Sequence, residues 1–86
     1  MTKHLILILV GKRKDSALKV QQILTEWGCM IKTRLGVHDG VLEDCSDFGL
    51  MVLEVVGDKN NIEEVARKLN LLPGVEAKYV SLTLSE

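Results

Sequence analysis

Two short stretches of this chain concentrate side chains that can do chemistry. The first is Gly11-Lys12-Arg13-Lys14, a glycine and three cations placed just before a helix-like stretch that begins near Asp15 and Ser16. Unpaired N–H groups at a helix start, together with positive side chains, favour an anion such as a carboxylate or a phosphate. The plain alternative is a solvated turn that keeps the chain soluble. The second stretch collects His38, Asp39, Glu43, Asp44, Cys45 and Asp47. Imidazole, thiolate and carboxylate are all competent ligands for a transition ion. Their spacing matches no strong metal motif, and a solvated acidic loop between two strands is the simpler account. No metal and no cofactor are therefore assigned. Arg34 can bridge to that acidic loop or reach a ligand at a subunit interface. Cys29 reads as a small buried hydrophobe.

Several kinds of chemistry are missing. No nucleophile or acid–base pair converges on a cleft, so an enzyme is not expected. A copper or zinc chaperone would need CxxC after the first strand, where Lys12 to Lys14 stand instead. Eleven Lys plus Arg against 12 Asp plus Glu give a net charge of -1, which gives no reason to expect nonspecific attraction to nucleic acid or acidic membranes. Base stacking on the central strands would need exposed aromatics, and they offer only Phe48 at the start of the third. No helix-turn-helix or basic arm is present, so no direct DNA contact is expected. The two cysteines form no framework, which fits a reducing compartment. The longest apolar run, 5–10, is too short to span a bilayer and lacks a small-residue cleavage site, so a cytoplasmic location is expected.

The elements that position these residues follow from hydrophobic periodicity. At 86 residues and 47% hydrophobic, the chain suits one small folded domain, 1–86. Run 5–10 has no alternation and reads as a strand buried on both faces. Asp15 or Ser16 is placed to cap the next element. Ala17, Val20, Ile23, Leu24 and Trp27 then paint one helical face, and Gly28 is expected to end it in the left-handed conformation. Run 30–37 is of mixed polarity, as an edge strand would be, whereas 50–56 is again nearly continuous and apolar. Asn61 and Glu64 suggest a capping box. Ile62, Val65, Ala66 and Leu69 form the stripe of a second helix, ended by Pro73-Gly74. In the last strand, 75–84, Val80, Leu82 and Leu84 alternate with Ser81, Thr83 and Ser85, predicting that the first set is buried and the second wet.

This order, strand-helix-strand-strand-helix-strand, is that of the ferredoxin-like βαββαβ sandwich. It predicts an α+β fold: an antiparallel four-stranded sheet of order 4-1-3-2 with two helices on one face. Strands one and three are expected at its centre, that pair parallel and joined by a right-handed crossover. Both are apolar on both faces, yet two helices cover only one, so the other face needs a partner. Hiding even about 400 Å² of apolar area at ~25 cal/mol per Å² contributes on the order of 10 kcal/mol before association entropy. A homodimer is expected as the minimal unit, with a tetramer the next step.

Three segments also carry a family resemblance: Arg34-Leu35-Gly36-Val37, the strand 50–56 running into Gly57-Asp58, and Leu72-Pro73-Gly74-Val75. On these the chain resembles the iron-only hydrogenase system regulators, which are related to ACT domains and to the C-terminal domain of the nickel-responsive regulator. The resemblance implies a stand-alone, oligomeric regulatory domain without a catalytic centre. In ACT-like domains the loop after the first strand, facing a strand of a neighbouring subunit, commonly holds a small effector. That implies a ligand site at Gly11, Lys12, Arg13, Asp15 and Arg34, taking a small anionic metabolite. The chain departs from the nickel-responsive domain, having only His4 and His38 and a Cys45 that falls earlier than that family's cysteine. Two alternatives stand beside the effector reading: a protein-interaction module with no small-molecule ligand, and a metal-responsive regulator using loop 38–47.

Overall fold

A computed structural model describes residues 1–11, 14–38 and 49–85. The elements run β1 (Thr2–Val10), α1 (Lys14–Glu26), a single 3-10 turn (Gly28–Met30), β2 (Ile31–His38), β3 (Gly49–Val55), α2 (Lys59–Asn70) and β4 (Val75–Thr83). The four strands form one sheet in the order β2-β3-β1-β4, the predicted 4-1-3-2. Among the described residues no helix is long and apolar enough to cross a membrane.

The expected parallel pairing of strands one and three is corrected, because β1 and β3 are antiparallel, with Ile6 opposite Leu53 and Ile8 opposite Met51. β3 is antiparallel to β2 as well. Two antiparallel steps make β1 and β2 the parallel pair, with β3 inserted between them. That insertion is what splits the βαβ unit.

Both helices pack on one face of the sheet. Ile6, Ile8 and Leu53 from the strands meet Val20 and Leu24 of α1 and Ile62 and Leu69 of α2, all essentially inaccessible to solvent. The predicted stripe of α2 is buried in full, Val65 and Ala66 included. On α1, Val20 and Leu24 are buried, while Ala17 and Ile23, and Trp27 just after its end, pack partly buried against the core.

Three helix-end expectations are corrected. α1 begins at Lys14, so Asp15 and Ser16 lie inside its first turn, and the Ser16 hydroxyl donates to the Pro73 carbonyl at 2.6 Å. Gly28 does not take a left-handed conformation; the chain tightens into the 3-10 turn, with Met30 N–H donating to Trp27 C=O at 3.0 Å. α2 is capped by Asp58, whose side chain accepts from the Asn60 N–H at 2.8 Å, in place of Asn61. Glu64 instead holds Arg67, with Nε–Oε1 at 3.1 Å, and that bond keeps its carboxyl below the ordinary glutamate range.

The face of β4 is also inverted relative to expectation. Ala77 and Tyr79, opposite Ile8 and Ile6, face the helices. Val80 and Leu82, opposite Leu5 and Lys3, share the uncovered face. Cys29 is exposed on the 3-10 turn, which corrects its expected burial.

Candidate functional site

The uncovered sheet face is assembled from alternate positions of every strand. Leu5, Leu7 and Leu9 of β1 lie level with Glu54, Val52 and Leu50 of β3, and Val52 pairs onward with Leu35 of β2. Leu9, Leu35 and Leu50 are 49%, 56% and 42% exposed. The face also carries charge: Glu54, with Lys3 Nζ at 3.3 Å and Lys32 Nζ at 3.9 Å, and, from β4, Glu76 and Lys78 opposite Leu9 and Leu7. Lys32 reaches Glu54 from the irregularity in the β2 register between Ile31 and Thr33. A two-sided aliphatic β1 thus yields one dry face and one apolar face open to water.

At one end of this face the turn leaving β1 meets the turn entering β4. Gly11 N–H donates to the Gly74 carbonyl at 2.8 Å, and Gly74 has φ +71°, a left-handed conformation that favours glycine. The Ser16–Pro73 hydrogen bond ties the first turn of α1 to the same corner. Beside these bonds lies a cleft of about 280 Å³ lined by Leu9, Gly11, Gly74, Val75 and Glu76.

The predicted site residues fall in three places. Gly11 lines the cleft, and Asp15 is exposed on the first turn of α1. Lys12 and Arg13 lie outside the described residues. Arg34 sits on β2, separated from β1 by β3, level with Leu53 on the helix side. Its guanidinium donates to the Gln21 Oε1 of α1, and Gln21 in turn lines a second cavity of about 180 Å³ with Val10, Ala17, Val20, Gly49 and Met51. The structure therefore joins Gly11 to the start of β4 and Arg34 to α1. The acidic loop weighed as a metal site falls almost wholly outside the described residues. Among those described, no three His, Cys, Asp or Glu side chains cluster, and His4 Nδ1 bonds the Tyr79 hydroxyl at 2.5 Å.

Leu9, Gly74, Val75 and Glu76 were not picked out by residue type, since none of them advertises chemistry. The signal was available in topology: with β4 antiparallel beside β1, residues 74–76 must return beside 9–11.

No protein-family model matches the chain, nor does any curated protein. Solved structures do resemble it. An uncharacterized protein, TM1266, from Thermotoga maritima has a TM-score of 0.81 at 24% identity, covering 96% of this chain and 100% of that one. The ACT domain of GTP pyrophosphokinase from Chlorobium tepidum gives 0.57 at 14% identity, covering 100% and 90%. CPII, a nitrogen regulatory PII-like protein from Thiomonas intermedia K12 bound to ADP, AMP and bicarbonate, gives 0.51 at 11%, covering 100% and 98%. At these identities the likeness establishes the fold, which is ferredoxin-like and ACT-like.

Proposed function

We propose that this chain is an oligomeric regulatory domain that binds a small anionic effector where two subunits meet. On this reading it acts as the iron-only hydrogenase system regulators do, the family its sequence resembles. The observation that carries the proposal is the double membership of Leu9, which belongs both to the open apolar face and to the wall of the Gly11–Gly74 cleft. A second copy seated on that face roofs the cleft and completes a site that one chain leaves open. Cations from Lys12 and Arg13, adjoining Gly11 in sequence, suit a carboxylate or phosphate. Glu76 at the opposite wall suits an accompanying cationic group on the same ligand. The PII-like relative in fold, bound to nucleotides and bicarbonate, supports small anions as a ligand class for this architecture.

The test is a thermal-shift screen with small carboxylates, amino acids and nucleotides. At least one is expected to raise Tm, and Lys12→Ala with Arg13→Ala should remove the shift while leaving the unliganded Tm in place. No shift across the panel would end the effector reading.

A further inference from the structure

We infer that the outer edge of β4 beyond Ala77 pairs with the same edge of a second copy of this chain, about a two-fold axis at Ser81. Among the described residues β4 has a strand neighbour only on the β1 side, so alternate residues turn their N–H and C=O groups away from the sheet. Asn70 identifies which ones. Its side chain donates to the Ala77 carbonyl and accepts from the Ala77 N–H, both at 2.8 Å, so the main-chain groups of Ala77 point away from β1. Tyr79, Ser81 and Thr83 share its phase. The opposite phase points at β1, as the bond from Leu84 N–H to the Met1 carbonyl at 2.9 Å requires.

The edge is therefore divided. Upstream, the Leu72 carbonyl takes the Val75 N–H at 3.3 Å and Asn70 covers Ala77. Downstream, among the described residues, the outward groups of Tyr79, Ser81 and Thr83 have no strand beside them. A row of unpaired main-chain groups is a template for another extended segment.

The edge is complementary to itself. An antiparallel two-fold through Ser81 sets Tyr79 against Thr83 and Val80 against Leu82, an apolar cross-strand pair. Lys78 then meets Leu84, so no like charges oppose one another. Strand pairing this short buries little area alone. The apolar supplement lies alongside, where Met1, Leu82 and Leu84 are 73%, 59% and 60% exposed around a cleft of about 400 Å³ shared with Lys3 and Thr83. No residue of the Gly11 cleft takes part in this pairing; Val80 and Leu82 also belong to the uncovered face, so Ser81→Pro, which alters only the main-chain edge, is the variant that separates it from face-to-face association.

The test combines native mass spectrometry with amide hydrogen exchange on the full chain. Ser81→Pro removes an outward N–H without touching the ladder to β1, a position where an edge strand accepts proline. Leu82→Glu, at an exposed side chain, is the second variant. Each is expected to halve the mass of the native assembly. In the unsubstituted protein the amides of Tyr79, Ser81 and Thr83 should be protected. In Ser81→Pro, Tyr79 and Thr83 should lose that protection while Ile6 and Ile8 keep theirs. Fast exchange at Tyr79, Ser81 and Thr83 in the unsubstituted protein would overturn the inference. So would an unchanged mass in both variants, or a foreign chain found on this edge.

Discussion

Gly74, beside the cleft, and Gly57, in the turn after β3, both take positive φ, and they differ in how much they demand. Gly74, at φ +71°, lies in the left-handed region that other residues enter at about 1–2 kcal/mol. Gly57, at φ +115°, lies further from any well an L-residue favours. Among the described residues a Cβ at Gly57 would meet only Met30, at 3.5 Å, so the strain there is in the backbone and not in crowding. Gly57→Ala is therefore expected to lower stability more than Gly74→Ala, by denaturant titration; equal losses would contradict this ordering. Reading the sequence at this scale put Gly11 in the turn leaving β1, where it lies, but misplaced Gly28 and Cys29. A three-residue 3-10 turn has no periodicity to betray which side chain faces water. The Asp58 cap was missed because Asn60 and Asn61 present equally competent capping chemistry close by.

At the scale of elements, periodicity was legible where a segment has one covered face. The α2 stripe of Ile62, Val65, Ala66 and Leu69 is buried in full, because a helix has a single angular phase to satisfy. A strand has two faces, and alternation alone does not say which is covered. In β4 the large side chains Val80 and Leu82 were expected inside, yet Ala77 and Tyr79 are there, since the helices approach that side. The direction of the β1–β3 pair was likewise invisible to composition and follows only from inserting β3 into the split unit. β3 offers a direct check of the two faces. Leu53→Ala, at a fully buried position, should cost about 2–5 kcal/mol, whereas Leu50→Ala on the open face should change the stability of a monomeric background by about 0.5 kcal/mol or less. Similar losses at both positions in such a background would mean that the open face is covered from within the chain.

For the whole molecule, the second apolar face of β1 was legible from the unbroken run 5–10, and it lies open on the side away from the helices. The candidate site was only half legible: loop chemistry drew attention to Gly11, but the residues opposite it in the cleft are set by strand order, which residue type does not encode. Leu7→Lys places a charge at the centre of the open face and leaves the helix-side core untouched. It is expected to abolish face-to-face association, read as a drop in native mass, without unfolding the chain; an unchanged assembly would remove that face from the interface.

The pairing of β1 with β4, Thr2 opposite Thr83, has a consequence for biosynthesis. Of the four strands, the one synthesised first is flanked in the finished sheet by β3 and by the one synthesised last of the four. Loops this long close slowly, and until they close the run 5–10 travels with both edges unsatisfied. Order of synthesis and order of closure are opposed, which makes that run the segment of the nascent chain that a holdase chaperone should engage.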